Sequence, residues 1–407
     1  MNYIRLSRSF LIWTFMKLNL SIVATLRLAA CWILLQAASV GADGPPGVVI
    51  AHSPAKSGIY IGSAGIVRLA DGAYLAKHDE FGPGSTEHTS AVTRVYRSQD
   101  RGASWREIVK VNGLFWSSIF EHRRAVYMIG MHHHHGALVC MRSDDGGATW
   151  TTPRDGKSGL LREGKWHTAP MPVIAHGGRL WRAIEDGDGP AGWGQMYRPR
   201  VMSIDEDADL LDAESWTITN PIERDDGWLG GDFWCVLEGN AIVDRNGVVR
   251  NVLRSNRESL AAVTTVSEDG QTQRIDPEFD RAEIRGASKK MLIRWDEPSQ
   301  LYWALTNPTP EEMSDKEATR TRNVLAAYTS PDLKEWTQRR TLLSHDDAGH
   351  HAFQYPDWIV EGEDMLIASR TAYDDGEGGA HRAHDANYLT FHRVERFREM
   401  AKARSND

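Results

Sequence analysis

An eight-residue turn occurs twice in this chain, and it constrains the fold more than any other feature. SQDRGASW at 98–105 returns as SDDGGATW at 143–150, with Ser, Asp, Gly and Trp at the same positions. The Asp side chain can accept hydrogen bonds from the N–H groups of the turn, and the Gly can adopt a positive φ. Each copy follows a β-rich run, AVTRVYR or GALVCMR, so the repeat indicates a unit built from strands.

Weaker copies of the turn follow at DLLDAESW (209–216), SEDGQTQ (267–273) and SPDLKEW (330–336). Their spacing of roughly 45–65 residues is typical of four-stranded propeller blades with variable loops. Six hairpins are also visible, and they read GIVRLADGAYLAKHDE, SIFEHRRAVYMIGM, MPVIAHGGRLWRAIED, NAIVDRNGVVRNVLRS, MLIRWDEPSQLYWALT and WIVEGEDMLIASRT.

After the sixth hairpin comes ANYLTFHRV, and VVIAHSP near the N-terminus is available to complete the same sheet. We therefore predict an all-β fold, a six-bladed β-propeller closed by an N-terminal strand. No Pro- or Ser-rich linker divides the chain, so residues 43–407 form one predicted domain with a short C-terminal tail.

The first 42 residues differ in composition from the rest. They contain four basic residues, no acidic residue, an apolar run and small residues just before Ala42. This pattern predicts a secretory signal peptide cut after Ala42, and a secreted or periplasmic protein. The apolar run is too short for a membrane span. A lipid anchor at Cys31 is the alternative, but Arg27 and the apolar WILL segment on either side argue against it.

Charge and cysteine content exclude several classes of protein. Loss of the four basic residues of the signal changes the net charge from −8 to −12, which argues against a nucleic-acid partner. Cys140 and Cys235 could form one disulfide, but we favour two buried thiols. The sequence contains no CxxC or zinc-finger spacing, and we expect a monomer without cofactor or metal.

The two octamers resemble the Asp-box (BNR) repeat of sialidases, S-x-D-x-G-x-T-W. The stretch from FQYPDWIVEG to VERFR at the C-terminus is similar to secreted bacterial proteins described as sialidase-like. This resemblance implies a propeller of the sialidase type with its site at the mouth of the central channel. Sialidases use a Tyr nucleophile activated by a Glu, an Asp acid/base and three Arg that hold the substrate carboxylate.

The resemblance also implies roles for individual residues. LEGNAIVDRNGVVRNVLRS places Glu238 where the activating Glu stands and Arg254 where one of the three Arg stands. FQYPDWIVEGEDMLIASRT places Tyr355 at the nucleophile position, and Asp79 is the candidate acid/base. We expect a glycosidase that cleaves a terminal glycosidic bond of a carbohydrate substrate.

Two departures from the family pattern affect the substrate. The segment that should carry the first Arg reads IYIGSAGIV, and the third Arg should fall near GASKKMLIRW, where Lys289 or Lys290 would replace it. We therefore expect an acidic or unusual sugar rather than strict sialic acid. Further polar residues at hairpin ends are candidates for substrate binding: His167, Tyr197, Arg200, Asp357 and Arg370.

Two other functions fit the same residues. A polysaccharide lyase could use Arg200 to neutralise a uronate carboxylate while His167 or Tyr197 removes the C5 proton. A carbohydrate-binding propeller without turnover is the third possibility. The run HHHH at 132–135 could place alternate rings on one face of a strand, but a metal would need a third ligand. We interpret the run as part of a loop.

Overall fold

The computed structural model describes residues 44–190, 192–225, 227–228, 235–276 and 278–402. The predicted signal peptide, residues 1–42, lies outside the described residues. Within these described ranges, six antiparallel sheets contain 27 strands, which confirms the predicted six-bladed β-propeller. Among the described residues, no helix has the length and apolar character that crossing a membrane requires.

Blades 1 and 2 contain the first octamer turns. Blade 1 consists of β2 (Tyr60–Ile61), β3 (Gly65–Arg68), β4 (Tyr74–Phe81), β5 (Val92–Ser98) and β6 (Arg106–Asn112). Blade 2 consists of β7 (Phe115–His122), β8 (Ala125–Met131), β9 (Leu138–Ser143) and β10 (Leu160–Arg162).

Blades 3 and 4 each have five strands. Blade 3 consists of β11 (Trp166–His167), β12 (Ile174–His176), β13 (Arg179–Asp186), β14 (Arg198–Asp205) and β15 (Thr217–Ile218). Blade 4 consists of β16 (Val236–Val243), β17 (Val249–Ser255), β18 (Leu260–Val266), β19 (Gln273–Ile275) and β20 (Arg281–Glu283).

Blade 5 consists of β21 (Leu292–Asp296), β22 (Leu301–Thr306), β23 (Val324–Ser330) and β24 (Thr337–Ser344). Blade 6 consists of β25 (Ala352–Glu361), β26 (Asp364–Ala372), β27 (Tyr388–Val394) and β1 (Val48–His52). The described helices are short: 3₁₀ turns at Ala55–Ser57, Ala213–Ser215 and Glu311–Met313, and α1 at Glu399–Lys402.

The ring closes as predicted. β1 pairs antiparallel with β27, with Val48 opposite Phe391 and His52 opposite Tyr388. A strand from the start of the chain thus completes the last blade. Innermost strands of neighbouring blades contact one another, β3 with β7, β12 with β16, β16 with β21, β21 with β25, and β25 with β3, and they surround a central channel.

Apolar side chains fill the seams between blades. The residues from alternate positions of neighbouring strands form buried clusters, and Trp181, Trp303 and Trp358 are among the largest fully buried side chains. Their burial removes large apolar surfaces from water, which is the main stabilising contribution in a sheet protein. Cys140 and Cys235 are both free and buried, as favoured from the sequence.

The octamer turns make the hydrogen bonds that their residue types predict. In the second copy, Asp145 Oδ1 accepts from Thr149 N at 2.9 Å, and Gly147 N donates to Ser143 Oγ at 2.8 Å. Trp150 Nε1 donates to the carbonyl oxygen of Gly147 at 2.9 Å. The side-chain hydrogen bond of Thr149 is the largest of the effects that lower the pKa of Asp145 to about 2. The turn therefore satisfies its own polar groups within eight residues.

The copy at 330–336 keeps this geometry although it lacks the glycine. Leu333 takes the glycine position with a φ of 66°, and Trp336 Nε1 donates to its carbonyl oxygen at 3.3 Å. Leu333 is completely buried. Burial of an apolar side chain can offset the cost of about 1–2 kcal/mol that a left-handed backbone imposes on such a residue.

Candidate active site

Three inner strands share one irregularity near their first residues. In β7, β16 and β25, two residues stand opposite a single residue of the next strand, which is a β-bulge. The first bulged residues are Trp116, Glu238 and Tyr355, with φ of 46°, 50° and 49°. Such backbone costs a non-glycine residue of the order of 1–3 kcal/mol and is concentrated at functional sites. We call these three residues the mouth bulges.

The mouth bulges meet although they come from blades 2, 4 and 6. Tyr355 donates its phenolic hydrogen to Glu238 Oε1 at 2.9 Å, across 117 residues of sequence. The Trp116 ring stacks on the Tyr355 ring with centroids 6.4 Å apart and an interplanar angle of 8°. Gly239 follows Glu238, and a Cβ there would lie 2.0 Å from Asn251 Oδ1. The bulge of blade 4 therefore requires glycine at this position.

Arg254 keeps Glu238 ionised. Its guanidinium contacts Glu238 Oε2 at 2.8 Å, and its Nε donates to the carbonyl oxygen of Ser288 at 2.9 Å. Burial alone would raise the pKa of Glu238, but the charge and hydrogen bond of Arg254 outweigh it and lower that pKa. A carboxylate that stays anionic beside a phenol can accept the phenolic proton when the oxygen attacks.

Two further arginines lie against the Tyr355 ring. The guanidinium carbons of Arg322 and Arg370 are 5.4 Å and 5.2 Å from its centroid. Arg322 also donates to Gln354 Oε1 at 2.6 Å, and Arg370 contacts the carbonyl oxygen of His384. Within the described part of the chain, the buried Nε of Arg370 has no hydrogen-bond partner.

Residue patterns did not identify Arg322 as a site residue, and the two lysines expected at its position make other contacts. Lys289 Nζ lies 2.8 Å from a carboxylate oxygen of Glu258. Lys290 Nζ contacts the carbonyl oxygen of Pro356, and burial lowers the pKa of Lys290 to about 7. Arg322 precedes β23 in a segment without repeat pattern, so only its position in space identifies it.

Asp79, the expected acid/base, is completely buried in β4. Its carboxylate accepts from Thr93 Oγ1 at 2.6 Å and lies 3.2 Å from Lys77 Nζ. A group that donates a proton to a leaving group must reach it, and these contacts hold Asp79 away from solvent.

Glu87 is a carboxylate of blade 1 that lies beside the histidine run of blade 2, where His134 N donates to the carbonyl oxygen of Glu87 at 2.7 Å. It stands in the loop after β4, is partly buried, and accepts a hydrogen bond from Gly82 N at 3.4 Å. Burial raises the pKa of Glu87, against the hydrogen bond from Gly82 N and the charges of His88 and Arg370, which lower it. Residue patterns predict no role for Glu87, because the loop that carries it shows no strand pattern.

His167 and Tyr197 lie together, as two of the three lyase candidates should. Their rings stack at 4.2 Å, and His167 Nδ1 is 2.7 Å from Glu185 Oε1. The same Glu185 oxygen accepts from Glu238 N at 3.2 Å. The Tyr197 hydroxyl is 2.9 Å from His135 Nε2. His167, Tyr197 and His135 are therefore connected to Glu238 through Glu185 and lie next to it in the wall of the channel mouth.

Two other predicted binding residues point elsewhere. Arg200 Nε donates to Asp186 at 2.5 Å, and its Nη1 donates to the carbonyl oxygen of Thr219, next to β15. Asp357 accepts from Ile66 N at 2.9 Å and pairs with Arg294 at 3.2 Å. Asp357 thus connects β25 with blades 1 and 5, and its carboxylate is committed to those bonds.

Comparisons with solved structures agree with the architecture. The Hadza microbial sialidase Hz136 matches with a TM-score of 0.58 and 16% identity, over 86% of this chain and 68% of that one. A leech intramolecular trans-sialidase matches with a TM-score of 0.56 and 11% identity, over 91% and 73%. A Penicillium chrysogenum alpha-L-arabinanase, solved with arabinobiose, matches with a TM-score of 0.51 and 14% identity, over 86% and 98%.

No protein-family model matches the chain, and no curated protein sequence matches it. At such identities the structural matches establish the fold alone. The chain is a six-bladed β-propeller of the type found in sialidases.

Proposed function

We propose that this protein is a glycoside hydrolase that cleaves a terminal glycosidic bond with Tyr355 as nucleophile. The hydrogen bond between Tyr355 and Glu238 carries the proposal, because it joins a phenol to an anionic base at the channel mouth. Glu238 takes the phenolic proton while Tyr355 Oη attacks the anomeric carbon, and the bond from that carbon to the leaving-group oxygen breaks as the general acid protonates this oxygen. Water then gives a proton back to the same acid/base and attacks the anomeric carbon, and Tyr355 leaves with the proton that Glu238 held. Solved propellers with this fold include sialidases and an arabinanase, which supports carbohydrate chemistry.

The substrate is proposed to be an acidic sugar. Arg254, Arg322 and Arg370 surround the Tyr355 ring and Glu238, and three guanidinium groups suit a carboxylate. A phenol is also a better nucleophile than a carboxylate beside an anionic sugar, because it carries no charge to repel the substrate.

We assign the acid/base role to Glu87 rather than to Asp79. Glu87 is partly exposed in the loop after β4, whereas Asp79 is completely buried and held by Lys77 and Thr93. Glu87→Gln should slow cleavage of an alkyl or sugar leaving group by about 100-fold. A nitrophenyl leaving group departs without a proton, so Glu87→Gln should slow its cleavage by less than about 10-fold. The assignment would be contradicted if Glu87→Gln slowed both substrates equally, or if Asp79→Asn, rather than Glu87→Gln, slowed only the substrate with the poor leaving group.

The first experiment is a panel of aryl glycosides and acidic polysaccharides with two readouts. Released sugar without new absorbance at about 235 nm indicates hydrolysis, and new absorbance indicates an unsaturated lyase product. We expect hydrolysis, and a loss of at least about 1,000-fold in Tyr355→Phe. Tyr328→Phe is the matched control, because the Tyr328 hydroxyl donates to Gln338 at 2.7 Å in blade 5.

New absorbance that persists in Tyr355→Phe would favour a lyase that uses the stacked His167 and Tyr197. Binding of acidic glycans with neither signal would favour a carbohydrate-binding propeller without turnover.

We further propose that the mature protein is a secreted monomer that begins at Asp43. The first blade-forming strand, β1, starts at Val48, so cleavage after Ala42 leaves the whole ring intact. N-terminal sequencing of the exported protein tests the cleavage site, and light scattering tests the monomer. A first residue beyond Val48, or a dimer mass, would contradict these proposals.

A further inference from the structure

One residue of the four-histidine run meets a carboxylate and another histidine from a different blade. Glu87, His88 and His134 each present one ligand atom, and these atoms all lie within 4.8 Å of one another. We call these three residues the rim cluster. The sequence predicted no such meeting, because a third ligand for the histidine run could not be located along the chain.

The backbone holds the two loops of the rim cluster together. His134 N donates to the carbonyl oxygen of Glu87 at 2.7 Å, and Ala91 N donates to that of His132 at 3.3 Å. The rings of His88 and His134 stack with centroids 5.2 Å apart. The cluster is therefore a fixed junction between blades 1 and 2.

The other histidines of the run have separate contacts. His135 Nε2 lies 2.9 Å from the Tyr197 hydroxyl, and His133 Nδ1 lies 3.1 Å from the carbonyl oxygen of His134. By contrast, the buried Nδ1 of His134 has no hydrogen-bond partner within the described residues. Leaving a buried polar atom without a partner costs about 1–3 kcal/mol, and a bound ligand would remove that cost.

We propose that Glu87, His88 and His134 bind a Zn²⁺ ion on the rim of the channel mouth. Two imidazoles and one carboxylate form a donor set that zinc prefers, and such three-ligand sites leave a fourth position for water. Tetrahedral bonds of about 2.0–2.2 Å place ligand atoms about 3.4 Å apart. His88 Nε2 already lies 3.4 Å from Glu87 Oε1, and the remaining separations must close by at most about 1.4 Å. His88 can move to close them, because 72% of its side chain is exposed.

Zinc at this position has a consequence that rests on the proposed function. A zinc ion bound through Glu87 occupies the carboxylate that would otherwise donate a proton to the leaving group. Zinc should therefore inhibit cleavage of a poor leaving group, and a chelator should restore it.

Binding is tested without substrate, on the full chain freed of metal by dialysis and carrying no histidine tag. Calorimetric titration with ZnCl₂ should give one ion per chain, and Co²⁺ should give the visible absorption of a tetrahedral site. His88→Ala and His134→Ala should each weaken zinc binding by at least about 10-fold. His134→Gln provides a second variant of the same position if the alanine variant fails to fold.

His133→Ala is the matched control, since it removes a neighbouring imidazole from the same run and should leave the affinity unchanged. An equal loss in His133→Ala, or unchanged affinity in His134→Gln, would overturn the site. Saturable binding without inhibition would overturn only the role of Glu87 in catalysis. The absence of saturable binding in the unaltered chain would overturn the zinc site and leave the glycosidase proposal intact.

Discussion

The octamer turns and the mouth bulges are both repeated backbone features with a positive φ, but they repeat in different ways. The turns at 98–105 and 143–150 repeat their residue types, and their hydrogen bonds close within eight residues. The mouth bulges repeat only the backbone and carry a Trp, a Glu and a Tyr. The three side chains contact one another across blades 2, 4 and 6, whereas each turn is closed within its own blade. Repeated sequence therefore marks the support of the fold, and repeated geometry with different residues marks its site.

Among the variants that test this comparison, Glu238→Gln should have the largest effect, because the proposed base is also the partner of buried Arg254. We expect a loss of at least about 100-fold in kcat. Removing one partner of a buried ion pair also costs about 3–5 kcal/mol of folding free energy, which thermal unfolding would detect.

Adding Arg254→Met to Glu238→Gln separates the two roles. The double variant should recover stability, because no buried charge is left without a partner. Its activity should remain lost. If Glu238→Gln alone changed neither activity nor Tm, the mouth bulges would not differ from the octamer turns in their importance for function.

Arg322→Met should have the next largest effect and should depend on the substrate. We expect KM for a carboxylate-bearing sugar to rise by about 10–100-fold, since charge-assisted hydrogen bonds contribute about 1.5–3 kcal/mol. KM for the matching uncharged sugar should change little. Steady-state kinetics on the pair of substrates provides the measurement, and a similar rise for both would mean that Arg322 only positions Tyr355.

Gly102→Ala tests whether the octamer turns contribute to stability but not to activity. Its Cβ would lie 2.2 Å from Phe391 Cε1, at a φ of 90°, so we expect a loss of about 1–3 kcal/mol in the free energy of unfolding. The kcat measured well below Tm should not change. Gly72→Ala is the control, because its φ is 86° but nothing lies within 4 Å of the added Cβ. Equal destabilisation in both variants would assign the effect to backbone strain alone.

Lys290→Met should change the pH dependence of stability. Burial lowers the pKa of Lys290 from 10.5 to about 7, so between these values the unfolded chain binds the proton more readily. The contribution of Lys290 therefore makes the folded state less stable as pH falls from 10.5 to about 7, and constant below that. The variant should show a smaller slope of unfolding free energy across this window. Lys56→Met, at an exposed position, should keep the slope of the unaltered chain.

Residue patterns predicted the blades because they depend on short-range order. Strand alternation, hairpin turns and the octamer repeat are all local, and even the closure of blade 6 by β1 followed from counting strands. The resemblance to sialidases also pointed to Tyr355 and Glu238, and the structure brings these two together.

Tertiary structure alone decided which other residues share the mouth. Arg322 and Glu87 lie in segments without periodicity. Arg322 reaches the Tyr355 ring, and Glu87 meets His134 of the next blade, only because the blades pack side by side in a ring. Asp79 and Arg200 carry suitable chemistry, but neighbouring charged groups hold them in other contacts. The chain by itself thus determined the strands and turns, whose bonds are local. The ring determined the site, because members such as Glu238 and Tyr355, 117 residues apart in sequence, meet only when the blades are in place.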